Sequence, residues 1–175
     1  MKKILMLMII TLGMCLSSCR SYFKPNYMDD HEYCDLLMKN LTTLLEEKNT
    51  VELRKLFAPT LYTSSTFDND LQDLILYYNG ECQKIIGIVD SGEYSNWDCE
   101  EKYYGLEYTV VTNVDTYRFA LVYVEKDSKN QNRIGITNLY VLKLSEDEFP
   151  DRRYFGALIS QDGIHVAYPH ELPTE

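Results

Sequence analysis

The hydrophobic periodicity changes at Gly80, and this change constrains the fold more than any other feature of the sequence. Before Gly80, apolar residues recur three or four positions apart, which is typical of amphipathic helices. After Gly80 they alternate with polar residues, which is typical of strands that bury one face. A chain with its helices first and its strands afterwards is predicted to be α+β.

The N-terminal half predicts three helices, over residues 29–48, 49–58 and 68–79. Asp29 can cap the first helix, and Glu32 follows three residues later as in a capping box. Gly80 comes directly after the third helix, where a glycine in the left-handed conformation commonly ends a helix. These signals predict a compact helical layer that precedes the sheet.

The C-terminal half predicts strands over residues 82–89, 103–113, 117–126 and 134–144. Tight turns between the last three favour an antiparallel meander. Residues 90–101 read as a polar loop that carries Trp97, the single tryptophan. Two short apolar pieces around Asp162-Gly163 are consistent with a terminal hairpin.

The N-terminus has the layout of an export signal, with Lys2 and Lys3 before a short apolar run. The sequence Leu16-Ser17-Ser18-Cys19 resembles the bacterial lipobox. This resemblance implies acylation of Cys19, cleavage after Ser18 and anchoring in the bilayer on the outer face of the cell membrane. An ordinary secreted protein that is cut near Ser18 is the alternative.

The chain therefore divides into four predicted segments: signal peptide 1–18, membrane-proximal tether 19–28, one domain 29–168 and C-terminal tail 169–175. The 175 residues include 17 basic and 27 acidic side chains, with a formal net charge of −10. Such an acidic chain disfavours nucleic acid and direct adhesion to an anionic membrane surface.

Cysteine and histidine patterns do not predict a metal site or a cofactor. The sequence has no C-x-x-C spacing, and its three histidines are scattered. Cys34 falls on the apolar face of the first helix. Cys82 and Cys99 either form a disulfide, which an exported context permits, or remain free thiols.

Several short motifs occur in an order that resembles a known family. They are Leu53-Arg54-Lys55-Leu56-Phe57, Tyr78-Asn79-Gly80, Thr112 with Tyr117, residues 133–141 and Gly163-Ile164. The chain resembles lipoproteins of Gram-positive gut bacteria that carry the DUF5104 domain of unknown function, and the likeness covers about residues 30–166. Helices followed by a meander also resemble the NTF2-like (cystatin-like) cone, which implies N-terminal helices packed on a curved antiparallel sheet, with a pocket at its wide end. The family offers no established catalytic residues that could be carried over to this chain.

A pocket in such a cone would be lined by aromatic side chains, here Tyr78, Trp97, Tyr104, Tyr108, Tyr117, Phe119 and Tyr140. The other interpretation is that these rings fill the cone. We expect a membrane-anchored, non-catalytic module that binds a small ligand or a protein. The alternatives are a small hydrolase or isomerase using an Asp/His pair drawn from Asp90, Asp115 and His165, and a homodimer formed through the sheet face.

Overall fold

The structure is a computed structural model that describes residues 29–96, 99–147 and 162–167, and their side chains apart from those of residues 90–96 and 99. It contains the helices α1 (Asp30–Glu46), α2 (Thr50–Arg54) and α3 (Phe67–Tyr77), and the strands β1 (Cys82–Asn96), β2 (Cys99–Thr112), β3 (Thr116–Asp127), β4 (Gly135–Lys143) and β5 (Gly163–Val166). Helices and strands are segregated along the chain, as in α+β proteins.

Local capping determines where the first two helices begin. The Asp29 side chain accepts a hydrogen bond from the Glu32 N–H at 2.8 Å, which confirms the predicted start of α1. Asn49 caps α2 in the same way through the Glu52 N–H at 3.2 Å. Gly80 has the predicted positive φ, +90, but α3 ends at Tyr77 with Tyr78 as its C-cap, so Gly80 does not occupy the predicted position directly after the helix.

The five strands form one sheet in the order β1-β2-β3-β4-β5. The first three pairings are antiparallel, and the pairing of β4 with β5 is parallel. The sheet is therefore mixed. It is preceded by three short helices, of 17, 5 and 11 residues.

This topology corrects the predicted fold. The NTF2-like cone, with N-terminal helices packed on a curved antiparallel sheet, is wrong, because β5 enters the sheet parallel to β4. Of the predicted terminal hairpin, the second piece forms β5, whereas the first, residues 154–160, lies outside the described residues. Alternation along a strand indicates which face is buried but carries no information about strand direction.

The sheet and the helices share one core. The α1 side chains in this core are Tyr33, Cys34, Leu37, Met38, Leu41, Leu44 and Leu45. They pack with alternate residues of β2 and β3, including Leu106, Val110 and Leu121. In β4 every residue from Gly135 to Leu142 is buried, as expected for a strand that lies between two others and is covered on both faces.

The two cysteines proposed as a disulfide lie at opposite ends of the β1–β2 hairpin. Cys82 pairs with Thr112 and Cys99 with Asn96, so the length of β1 separates them, roughly 45 Å at 3.3 Å per residue. Cys82 has a free thiol. Among the described residues, no helix is long and apolar enough to cross a membrane.

A backbone joint connects the helical segment to β4. The Ala58 N–H donates to the Ile136 carbonyl at 2.9 Å, and the Ile136 N–H donates to the Leu56 carbonyl at 2.8 Å. Gly135 makes this approach possible: its φ is +124, and a Cβ there would lie 2.8 Å from the Ala58 nitrogen. The joint therefore depends on the absence of a side chain at position 135.

We predict that Gly135→Ala destabilises the protein by at least about 2 kcal/mol, because an L-residue is strained at this φ and its methyl group collides with backbone. Gly163→Ala is the matched control, since Gly163 has φ +127 but its Cβ would meet nothing closer than 3.6 Å. Urea denaturation of both variants measures the difference. Equal losses of stability would show that the joint at Ala58 is not tight.

Candidate functional site

Most of the aromatic residues predicted to line a pocket are core residues. Tyr104, Tyr108, Tyr117 and Phe119 are at most 1% exposed, and Tyr78 is 4% exposed. The rings of Tyr78, Tyr117 and Phe119 contact one another, and the Tyr78 and Tyr117 centroids lie 5.1 Å apart. The described part of this region is therefore packed with side chains.

The remaining two predicted residues do not join this cluster. Tyr140 lies on the opposite face of the sheet, beside Ala120, and its ring stacks on His165 with centroids 4.2 Å apart. Trp97 lies outside the described residues. The seven candidates thus do not meet around one cavity in the part of the chain that the structure describes.

The buried tyrosines place their hydroxyl groups against α1. The Tyr108 hydroxyl donates to Asp35 Oδ1 at 2.8 Å, and the Tyr33 and Tyr123 hydroxyls lie 2.8 Å apart. Burying a phenol is favourable only if its hydroxyl keeps a partner, because an unsatisfied polar group costs about 1–3 kcal/mol. These contacts therefore fix α1 on the sheet in one position.

A charge cluster closes the N-terminal end of this contact. The Tyr104 hydroxyl donates to Asp30 Oδ1 at 3.0 Å and also contacts Glu125 Oε2. The Lys102 ammonium lies 3.1 Å from Asp30 and 3.5 Å from Glu125. Burial opposes the charge of Lys102, but the two carboxylates outweigh it and raise the lysine pKa. Burial, followed by the hydrogen bond to Glu125, raises the pKa of Tyr104. The cluster thus holds a neutral phenol and a charged lysine against two acids.

A second contact joins the end of α3 to the β2–β3 turn. The Asn79 N–H donates to the Tyr117 hydroxyl at 2.9 Å, and Thr112 Oγ1 donates to the Asn79 carbonyl at 3.0 Å. Thr112 Oγ1 also accepts from the Asp115 N–H at 2.9 Å. These residues are occupied in holding the turn, which is a structural role.

The residues considered for an acid–base pair lie on different elements. Asp90 is on β1 and His165 on β5, four strand spacings or roughly 19 Å apart across the sheet. Asp115 lies in the β2–β3 turn, where its carboxylate is 3.5 Å from Lys143 Nζ. Within the described ranges, no group of three or more His, Cys, Asp or Glu residues could hold a metal ion.

An open groove lies beside that turn, with a volume of about 480 Å³. Its lining residues are Thr112, Val114, Asp115, Thr116, Leu144 and Ser145. Small-molecule sites are usually concave and mainly apolar, with a few placed polar groups. This groove is wide and largely polar, and of the predicted candidates only Asp115 lies in it.

The free edge of the sheet has a different character. Among the described residues, β1 pairs only with β2, so its other side presents unpaired backbone groups along the strand. Ile86 and Ile88 lie on the face away from the helices and are 51% and 47% exposed. On the helical face, Gly87 receives the ring of Tyr108.

The sequence contained a signal for this edge that periodicity alone does not reveal. Residues 85–89 read Ile-Ile-Gly-Ile-Val and carry no charge, whereas Lys84 precedes them and Asp90 follows them. Natural edge strands are usually protected by charges, prolines or bulges. In β1 the bulge lies at the start, between Cys82 and Lys84, and leaves the uncharged centre unprotected.

A comparison with known families matches the part of the chain that contains most of the helices and the strands β1 to β4. The family model described as "Domain of unknown function (DUF5104)" matches residues 40–144, which is more than half of the chain. No curated protein matches. The motifs that carry the resemblance lie at the two joints described above, Leu53–Phe57 against Gly135-Ile136 and Asn79-Gly80 against Thr112 and Tyr117.

We predict that Tyr104→Phe lowers the free energy of unfolding by about 1–3 kcal/mol at neutral pH, because Asp30 and Glu125 lose a buried donor. The folded-state pKa of Tyr104 is raised, so its contribution is complete below the ordinary tyrosine pKa of about 10 and is lost as pH rises above it. Urea denaturation at pH 7 and at pH 11 should therefore show a smaller deficit at the higher pH.

The control is Tyr103→Phe, which alters the neighbouring tyrosine on the other face of β2, where the ring is half-buried. A deficit for Tyr104→Phe that stays constant with pH would contradict the role assigned to its hydroxyl.

Proposed function

The chain belongs to the DUF5104 family, and we propose that it is a lipid-anchored, non-catalytic, protein-binding module on the outer face of the cell membrane. The observation that carries the protein-binding part is the uncharged, exposed centre of β1 at the free edge of the sheet.

The anchor is supported by the N-terminal sequence. Lys2 and Lys3, the short apolar run and Leu16-Ser17-Ser18-Cys19 follow the order of a lipoprotein signal. Two or three acyl chains on Cys19 would hold a domain of this size at a bilayer, since each buried CH₂ contributes roughly 0.8 kcal/mol. The acidic chain would add no electrostatic attraction to an anionic membrane, so anchoring rests on the lipid.

Protein binding is favoured over small-ligand binding by the packing of the aromatic residues. Tyr104, Tyr108 and Phe119 belong to the hydrophobic core and are at most 1% exposed. An edge strand, in contrast, recognises another chain through its main-chain groups, while alternate side chains provide specificity. Ile86 and Ile88 are the side chains that an added strand would cover on one face.

The anchor is tested with the full-length chain in a bacterium that processes lipoproteins. We predict that the wild-type protein is found in the membrane fraction with an acylated N-terminus at residue 19, as mass spectrometry measures it. Cys19→Ser should abolish acylation and processing, because the thiol is the acceptor. Cys15→Ser is the matched control and should behave as wild type. Acylation that persists in Cys19→Ser would exclude the assignment.

The binding edge is tested by site-specific photo-crosslinking in cells. We predict that a photoreactive amino acid at position 88, on β1, forms a discrete protein adduct that mass spectrometry can identify. The control position is 76, because Leu76 on α3 is also apolar and is 76% exposed, but lies away from the sheet edge. No adduct at either position, or equal adducts at both, would contradict a binding edge at β1.

A further inference from the structure

We propose that the free edge of β1 pairs with β1 of a second copy of this chain, antiparallel and centred on Gly87, to form a continuous ten-stranded sheet. This inference rests on the proposed function and names the partner of the same surface.

The sequence of β1 is complementary to itself about Gly87. In an antiparallel pair centred there, Ile86 lies opposite Ile88 of the partner subunit, and Ile85 lies opposite Val89 of the partner subunit. The first pair is on the face away from the helices and the second on the helical face, so each face gains an apolar cross-strand contact. Ile86 and Ile88 are about half exposed in the single chain and would become covered.

The charges that border this stretch have opposite signs at symmetric positions. Lys84 and Asp90 are each three residues from Gly87, so the register places Lys84 opposite Asp90 of the partner subunit, and a two-fold axis repeats the pair. If these two charges served only to prevent association, two charges of the same sign would do so at least as well, because two copies would then repel each other. Opposite signs at these positions favour self-pairing in this one register.

The register also sets an end to the interface. One step beyond Cys82 and Gly92, it would place Glu81 opposite Glu93 of the partner subunit, and two like charges directly opposite are unfavourable. Glu81 precedes the first residue of β1. The bulge between Cys82 and Lys84 also interrupts the regular register, so the regular pairing is confined to residues 84–90.

A two-fold axis through Gly87 would run perpendicular to the sheet. It would keep both helical layers on the same side, because the residues on one face of β1 meet the residues on the same face of its partner. Gly87 would lie on the two-fold axis. Its Cα lies beneath the ring of Tyr108, and any side chain at position 87 would collide with that ring. Each copy would then retain its own packing when the strands meet.

The test uses the full-length chain produced in two differently tagged forms in one cell and purified from detergent-solubilised membranes. The measured quantity is the fraction of one tag that co-purifies with the other. When both tagged copies carry Lys84→Glu, or both carry Asp90→Lys, this fraction should fall roughly tenfold or more. Each of these combinations places two pairs of like charges opposite one another. Lys129→Glu, an exposed charge change in the β3–β4 connection, is the control and should co-purify as wild type.

The decisive combination pairs one tagged copy carrying Lys84→Glu with another carrying Asp90→Lys. Both charge contacts across the axis are then attractive, so co-purification should return to the wild-type level, which misfolding of either variant cannot explain. Single variants that co-purify as well as wild type, or a mixture that stays apart, would overturn this register.

The outcome of crosslinking at position 88 separates the two proposals. An adduct with the mass of two copies of this chain supports both. An adduct only with a different protein overturns self-pairing and leaves the proposed binding function in place. The absence of any adduct overturns both.

Discussion

Most of the buried tyrosine rings deliver their hydroxyl to a polar partner, and these hydrogen bonds organise the helical side of the protein. Tyr104 and Tyr108 on β2 reach Asp30 and Asp35 on α1, while Tyr123 on β3 reaches Tyr33. Because a lost partner costs as much as several apolar contacts supply, the helix has little freedom to shift along the sheet. A core fixed in this way is occupied by its own aromatic side chains, so these residues stabilise the fold.

Local features of the sequence predicted the helices well. The capping residue Asp29 and the positive φ of Gly80 were identifiable, because caps and positive φ depend on single residues and their near neighbours. The predicted β4, residues 134–144, differs from the observed Gly135–Lys143 by one residue at each end. β4 is buried on both faces and follows a charged connection, so its boundaries could be read from the change from polar to apolar residues.

Relations between distant segments could not be predicted in the same way. β1 extends to Asn96, whereas the polar run after Val89 was expected to be a loop. Polar residues can still form a strand there, because the backbone of β2 satisfies their hydrogen bonds whatever their side chains are. The parallel arrival of β5 beside β4 is likewise invisible to periodicity, and it is the feature that rules out the antiparallel cone. Four of the candidate aromatic residues lie on β2 and β3, but whether such rings enclose space depends on how closely the helices approach.

Membrane anchoring and edge pairing would reinforce each other. Two copies of an acidic chain with a formal charge of −10 repel each other in solution, so a short edge contact has to overcome long-range repulsion. A lipid on Cys19 would confine the copies to one surface, and the tether from Cys19 to Asp30 can extend at most about 40 Å. Confinement of this kind raises the effective concentration of each copy around the other, so a weak contact becomes populated without additional interface area. Two copies at the membrane would therefore pair through β1 even if the affinity of the contact is modest. The same modest affinity limits the association of copies that have not yet reached the membrane.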